Sequence, residues 1–219
     1  MIGRPRVHHR VTDSTNERAR ALATAGAPHG TLVTADEQTA GRGRQGRAWV
    51  APPRASLLLS LVLHDPSEAL PLAAAVAVCE ALPVEAAIKW PNDIWIDREK
   101  VAGILVEGRP QEGWAVLGIG VNVDAAPPLE HVTSLAHKGV GLTVAALLDR
   151  LLLALDGWLF RPLPEILAAW RYRDALLGET VRWENGSGEA VGIDDRGALL
   201  VDTASGRVAL DAGEVHLLR

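Results

Sequence analysis

Residues 94–107 read IWIDREKVAGILVE, two apolar runs on either side of the charged tetrapeptide Asp97-Arg98-Glu99-Lys100. Strand-forming residues broken by a short polar turn are the mark of an antiparallel hairpin, so the stretch predicts strands at 94–96 and 101–107 joined by a turn that carries Lys100. Working outward, 85–89 and 114–123 are further strand candidates, 31–35 adds another, and 55–63 (ASLLLSLVL) has the composition of a buried strand. Helical spacing appears at 14–25, 68–82, 144–159 and 164–176. Ser14 and Glu17 stand at the separation of a capping box, and Gly26 follows as a helix stop. Strands and helices interleave, which makes an α+β fold, a mixed β-sheet with flanking helices, the expected core.

Beyond residue 177 the texture changes. Short strand candidates at 180–183, 188–193, 198–202, 207–210 and 214–217 alternate with the turns NGSG, DDRG, ASG and DAG. A small C-terminal β-barrel at 177–219 is therefore expected after a larger unit at 1–176. Roughly 40 residues bury too little apolar surface for a robust core, so the barrel is predicted to dock on its larger neighbour.

The bulk numbers narrow the classes of function. The chain has 219 residues, 48% hydrophobic and 22% charged, which fits a folded globular protein and not a disordered one. A formal charge of −5 argues against a general polyanion binder. No stretch approaches the roughly 20 uninterrupted apolar residues of a membrane helix, and the basic start MIGRPRVHHR is followed by no apolar signal region. The expectation is a cytoplasmic protein without membrane partners. Cys79 is the only cysteine and lies in the apolar run AAAVAVCEAL, so no intrachain disulfide forms and a buried small hydrophobe is expected. The seven histidines show no H-E-x-x-H spacing. Any metal is expected to arrive with a phosphate.

The segments with chemistry lie in the polar turns. Gly41-Arg42-Gly43-Arg44-Gln45-Gly46-Arg47 places three glycines and three arginines in seven residues, directly after Gln38-Thr39-Ala40. Glycine lets backbone amides approach an anion, and guanidinium groups bind phosphate or carboxylate. The stretch does not match the phosphate-binding P-loop pattern, and a solvated basic loop or a nucleic-acid tether fits it equally well in isolation. Lys89-Trp90-Pro91-Asn92-Asp93 is a charged, aromatic turn between apolar strands, readable also as an ordinary turn. Gly103 can admit a ligand against bare backbone. Gly118-Ile119-Gly120-Val121-Asn122 lacks the third glycine of a dinucleotide fingerprint, but two glycines in a strand suit close approach of a ligand or a β-bulge. Asn122 can offer donor and acceptor to an adenine edge. Trp49 follows the arginine loop and can stack on a flat group; the other tryptophans are core candidates.

Taken in order, Asp13-Ser14-Thr15-Asn16, the 37–47 stretch EQTAGRGRQGR, the 89–93 stretch KWPND, the 100–107 stretch KVAGILVE, GIGVN at 118–122 and Thr133-Ser134-Leu135 resemble the biotin–protein ligase family. The resemblance runs from about Asp13 to Leu135, and the β-rich tail resembles that family's SH3-like C-terminal domain. It implies a class II synthetase-like catalytic domain that joins biotin to ATP as biotinyl-AMP and passes the biotin to a lysine of a biotin carboxyl carrier domain, with Mg2+ accompanying the nucleotide. By the same resemblance Ser14, Thr15, Gln38, Gly41, Arg42, Lys100, Gly103 and Gly118 would meet biotin. Arg42, Arg44, Arg47, Trp49, Lys89, Asn92 and Asn122 would meet ATP or the adenylate. Lys100 and Arg44 would stabilise the reacting anions, and Asp93 would hold a metal or position a lysine. The 41–47 loop is expected to order on ligand binding. Only thirteen residues precede Ser14, so no DNA-reading domain is expected there. Oligomeric state is left open, a homodimer included. Competing readings are a lipoate- or octanoate-handling transferase on a related fold, and an RNA- or DNA-binding module built on the arginine loop. The second lacks interleaved aromatic residues in its barrel.

Overall fold

The computed structural model describes residues 2–109, 112–211 and 213–218. A seven-stranded mixed sheet is built from β1 (Arg6–His9), β2 (Leu32–Ala35), β3 (Ser56–His64), β4 (Ala87–Lys89), β5 (Asp93–Ile96), β6 (Glu99–Arg109) and β7 (Trp114–Asn122), in the order β1-β2-β3-β7-β6-β5-β4. β1 runs parallel to β2, and the other neighbouring pairs are antiparallel. The hairpin read from the sequence forms between β5 and β6. Its tight turn places Asp97 and Arg98 at φ of 50° and 65°, as a two-residue hairpin connection requires. That turn is shorter than predicted, so Lys100 lies on β6 and not in the turn, next to a bulge between Ile94 and Trp95. β1 is absent from the sequence reading: RVHH alternates exposed and half-buried residues and gives little apolar signal.

The sheet's two faces explain how its strands are written. On β3, Leu57, Leu59, Leu61 and Leu63 face a large apolar layer with Ile119 and Val121 of β7, covered by α2 (Leu70–Ala81), α3 (Val144–Trp158) and α4 (Leu163–Arg171). α2 is buried on nearly all sides, which is why it reads as an apolar run with little periodicity. The opposite face is divided. At one end Val33, Val62, Trp114 and Val116 pack under Ala19 and Ala23 of α1 (Thr15–Thr24). At the other end the same strand phases continue as Ser60, Leu58 and Ser56 on β3, opposite Gly118, Gly120 and Asn122 on β7. The sequence thus leaves this half of the face smaller and more polar, and among the described residues only the N-terminal turn of α1 reaches over it.

α1 begins as expected at Ser14, but the predicted capping box does not form. Ser14 caps no backbone amide, and its own N–H is held at 2.6 Å by Asp13 Oδ1. Glu17 turns outward to Arg20 and Arg42 instead of back to the cap. The Arg18 guanidinium, with the Ser14 amide, holds the Asp13 carboxyl down at about 2. α4 ends at Arg171, short of the predicted residue 176.

The five predicted C-terminal strands are present as β8 (Thr180–Trp183), β9 (Gly186–Ile193), β10 (Leu199–Thr203), β11 (Gly206–Leu210) and β12 (His216–Leu217). They form one antiparallel sheet in the order β11-β10-β9-β8-β12, bent by a bulge between Leu200 and Val201. Ala212, within the last predicted turn, lies outside the described residues. The inner side chains Val181, Ala190, Ile193, Leu199, Val201 and Val215 join the same apolar cluster as the large sheet. Docking is sealed by Trp90, whose buried indole Nε1 donates to the carbonyl of Gly197 at 3.0 Å. Gly197 has φ of 86°, and a Cβ there would press on Leu72 of α2.

Cys79 is buried on α2, and burial pushes its thiol up to about 12. Because thiolate is the reactive form, Cys79 is expected to stay unmodified by a disulfide reagent at pH 8 in the native protein and to react rapidly once unfolded in urea. Fast labelling of the native chain, followed by absorbance, would contradict this placement. Among the described residues no helix is long and apolar enough to cross a membrane.

Candidate ligand cleft

This half-face becomes the floor of a cleft. Gly103 on β6 lies opposite Gly120 on β7, and Leu105 lies opposite Gly118. Three segments wall this floor: the N-terminal turn of α1, the arginine loop at 42–49, and the Asn92 turn before β5. Of the residues expected at the site, Ser14, Thr15, Gln38, Arg42, Arg44, Arg47, Trp49, Asn92, Lys100, Gly103 and Gly118 line the cleft together. Gly41, Lys89, Asp93 and Asn122 are not part of this lining, although Asp93 reaches its edge through Lys100.

One end of the cleft is a wall of oxygen acceptors and hydroxyls. Gln38 Oε1 accepts from the Thr15 N–H at 2.7 Å and from Thr15 Oγ1 at 3.0 Å, and Ser60 Oγ lies 2.8 Å from Thr15 Oγ1. Asn16, with its Oδ1 at 2.5 Å from Ser60 Oγ, completes this wall. Neither Asn16 nor Ser60 is among the site residues expected from sequence. The available signal was phase: Ser60 shares its side of β3 with Ser56 and Leu58, a polar interruption in an otherwise apolar strand. Gly118 makes room for this group, because a Cβ there would overlap the Asn16 amide.

The other end is cationic. Lys100 Nζ pairs with Asp93 Oδ1 at 2.7 Å and lies 5.5 Å from the centre of the Trp49 ring. The Lys100 backbone is fixed on both sides by its N–H to His131 O and its carbonyl to the Thr133 N–H, each at 2.8 Å. This strap accounts for the Thr133-Ser134-Leu135 element, which is buried. Arg44 makes no ion pair among the described residues; burial first, and then Arg47, lower its pKa. Burial likewise lowers that of Lys89, against the pull of Asp93 and with Lys100 and Arg47 adding to the depression. Lys89 Nζ sits over the Trp95 ring at 5.9 Å. Arg44, Arg47, Lys89 and Lys100 lie close enough to act on one another with only the Asp93 carboxylate among them, an arrangement suited to added negative charge.

Three expected residues already have hydrogen-bond partners within the protein. Asn122 is buried, with Nδ2 donating to Thr133 O at 3.0 Å and Oδ1 accepting from Ser56 Oγ at 3.4 Å, so its amide holds the strap and not an open edge. Asn92 lines the cleft, but its Nδ2 donates to Ile104 O at 2.8 Å. Arg42 is drawn aside from the cation cluster by Glu17 and by Glu107, which accepts from its Nη2 at 2.8 Å. Gly41 serves the loop itself: its carbonyl accepts from the Trp49 N–H at 2.9 Å, and a Cβ there would strike the Trp49 carbonyl. Arg47 forms an ion pair with Glu214, tying the arginine loop to the C-terminal sheet.

Trp49 packs here on the protein's own backbone. Its indole lies against the bare backbone of Gly103 and Gly120, and its Nε1 is buried without a partner. With the ring in place the cleft, open to solvent on one side, holds about 100 Å³. Small-molecule pockets usually run to about 300–1,000 Å³, so the indole has to be displaced for a large ligand to occupy the floor.

A mixed sheet with a glycine-floored cleft, hydrogen-bonding oxygens at one end and converging cations at the other, defines a protein that holds a polar-headed small molecule beside phosphate. Comparison with known proteins makes the class specific. The model of the biotin/lipoate A/B protein ligase family matches residues 8–124, and that of the biotin protein ligase C-terminal domain matches residues 176–218. The chain belongs to the biotin/lipoate A/B protein ligase family. Similar relatives include the biotin–[acetyl-CoA-carboxylase] ligase of Mycobacterium tuberculosis, 37% identical over 95% of this chain and 87% of that protein. The bifunctional ligase/repressor BirA of Bacillus subtilis is 33% identical over 99% of this chain and 75% of that protein. Among solved structures, the biotin protein ligase from Aquifex aeolicus in complex with biotin and ATP superposes with a TM-score of 0.80 at 29% identity, covering 99% of both chains. The C-terminal sheet corresponds to the expected small barrel of this family.

Proposed function

We propose that the chain is a biotin–protein ligase. A carboxylate oxygen of biotin attacks the α-phosphorus of ATP, the bond to the β-phosphate breaks, and pyrophosphate leaves. The resulting biotinyl-5'-AMP is then attacked at its acyl carbon by a lysine amine of a biotin carboxyl carrier domain, from acetyl-CoA carboxylase or a related carboxylase. AMP departs, the amine gives up a proton, and an amide is formed. The observation that carries this reading is the convergence of Lys100 and Arg44 on a cleft whose far end presents Ser14, Thr15 and Gln38.

Both reactants of the first step are anions, so the protein's task is to bring them together and to hold the charge that builds at phosphorus. Fixed cations do this without reorganising during the step, and a part-buried setting strengthens them. Lys100 would bridge the biotin carboxylate and the α-phosphate, and Arg44, Arg47 and Lys89 would cover the remaining phosphate oxygens. Ser14, Thr15 and Gln38 would hold the ureido head, with Gly103 and Gly118 keeping the floor thin. Trp49 would stack on a ring of the ligand once lifted, and Asn92 and Asn122 would support the nucleotide side through the backbone they hold. Asp93, paired to Lys100, fits a lysine-positioning role. Among the described residues no group of three His, Cys, Asp or Glu side chains converges into a metal site. A magnesium ion would therefore be held chiefly by the phosphates it arrives with, supplying charge neutralisation to the leaving pyrophosphate.

The chain would divide into a catalytic unit at 1–176 and an SH3-like unit at 177–219, working in the cytoplasm. The test is incubation with biotin, Mg2+ and ATP. Biotin-dependent exchange of pyrophosphate into ATP, and an acid-labile biotin–AMP adduct, are expected. Exchange supported by lipoate and not by biotin would overturn the proposal.

A further inference from the structure

Hydrogen positions along the acceptor wall can be deduced from its fixed ends. The Thr15 N–H at 2.7 Å obliges the Gln38 amide to present its oxygen. At the other end, Glu107 Oε2 lies 2.9 Å from the Asn16 Nδ2, and a carboxylate accepts only, so Asn16 must give it the NH2 group and turn its carbonyl oxygen inward. Between these ends four oxygens stand in a row: Gln38 Oε1, Thr15 Oγ1, Ser60 Oγ and Asn16 Oδ1, separated by 3.0, 2.8 and 2.5 Å. Three contacts share only the two hydroxyl hydrogens of Thr15 and Ser60. The row is one hydrogen short, so some oxygen always has an unanswered lone pair. A group that brings N–H donors satisfies it, whereas a ligand offering only acceptors meets like against like.

We infer that Glu107 is a positioning residue for biotin specificity: by fixing the Asn16 amide it keeps this wall short of donors, and through Arg42 it couples the wall to the arginine loop. Its two oxygens are divided between these tasks, Oε2 to Asn16 and Oε1 to Arg42 Nη2 at 2.8 Å. The inference rests on the cleft being the biotin site proposed above, and adds a residue that does not itself touch the ligand. Its key property is charge. A glutamine at position 107 has one oxygen and one NH2 to share between Arg42 and Asn16. The guanidinium, donor only and charged, takes the oxygen. The glutamine NH2 then faces Asn16, whose amide has to flip, and two N–H groups enter the wall where a lone pair stood.

Biotin binding measured by isothermal titration calorimetry without nucleotide tests this on the full chain. Glu107→Gln should bind biotin about tenfold to a hundredfold more weakly, the range for a mispaired buried polar group. Its KM for ATP in pyrophosphate exchange should stay within about threefold, because Arg44, Arg47 and Lys89 are untouched and the glutamine oxygen still accepts from Arg42. Asn16→Asp places two carboxylates together and should also lose binding. Combining Asn16→Asp with Glu107→Gln reverses donor and acceptor: the new amide at position 107 donates to the new carboxylate at position 16, whose other oxygen again faces Ser60. Affinity should return to within about fivefold of the native chain if donor–acceptor matching governs it. A Glu107→Gln protein that binds biotin as tightly as the native one overturns the inference, and so does a double variant no better than Asn16→Asp alone. If Glu107→Gln does not fold, the comparison of Asn16→Asp with the double variant decides. A native chain that binds no biotin would sink the proposed function itself, a separate outcome.

Discussion

Replacing Lys100 by alanine should lower biotin-dependent pyrophosphate exchange by about 10²–10³-fold in turnover, the loss commonly seen when one preorganised charge-stabilising donor is removed. Lys100 is held more firmly than a surface lysine. Its backbone is tied on both sides to the 131–133 strap, its ammonium pairs with Asp93 at 2.7 Å, and its stem lies beside Gly103 on the cleft floor. The alanine variant loses the cation and also leaves the Asp93 carboxylate without its Lys100 partner at the edge of the cleft, so repulsion of phosphate adds to lost attraction. Arginine should restore little, since its planar fork is larger than an ammonium and the position is bounded by Trp49 and Gly103. Quenched-flow measurement of pyrophosphate release separates this from weaker binding: the rate should fall far more than biotin affinity. A Lys100→Ala enzyme that adenylates biotin within about tenfold of the native rate would remove Lys100 from the chemistry.

The largest effect on stability is expected at Trp90. Trp90→Ala should cost about 3–5 kcal/mol, the usual range for deleting a buried aromatic side chain. The indole fills the junction between the KWPND turn and the Gly197 turn, and its Nε1 satisfies the Gly197 carbonyl at 3.0 Å. Trp90→Phe keeps most of the packing and removes that donor, so it should cost less, about 1–3 kcal/mol. Urea unfolding followed by far-ultraviolet circular dichroism measures both. A loss under about 1 kcal/mol for the alanine variant would mean that the C-terminal sheet docks without this residue. Because the turn between Trp90 and Asp93 leads directly into β5, a loosened junction should also disturb the partner of Lys100.

The hairpin, the buried β3 and the glycine pair on β7 are legible in the sequence because strand burial writes itself as apolar runs and phase. The C-terminal strands are legible through their turns. β1 is not, since an edge strand with one partner needs few apolar residues. The capping box fails for a local reason: Asp13, one residue earlier, captures the Ser14 amide before Glu17 can. Counting four charged residues as the connection puts Lys100 in a turn, whereas two residues with positive φ suffice. The site residues carried by the resemblance mostly converge on one cleft. The supporting residues Asn16, Ser60 and Glu107 escape sequence reading as a group, because their importance lies in who faces whom across 44 to 91 residues of chain. Asn122 shows the converse, a polar residue whose pattern suggests a ligand contact and whose amide is spent on the backbone of the strap.

The indole resting on the glycine floor sets a limit on speed. Because the Trp49 ring lies on the backbone of Gly103 and Gly120, a ligand that takes this floor has to lift it, and association should be governed by how often the 41–49 segment opens and not by diffusion alone. Occupancy would then be reached through a saturable step at high ligand concentration. The compensation is shielding: the ring keeps solvent off the floor until something flat takes its place, and a mixed anhydride formed there would be protected from hydrolysis by the same dryness.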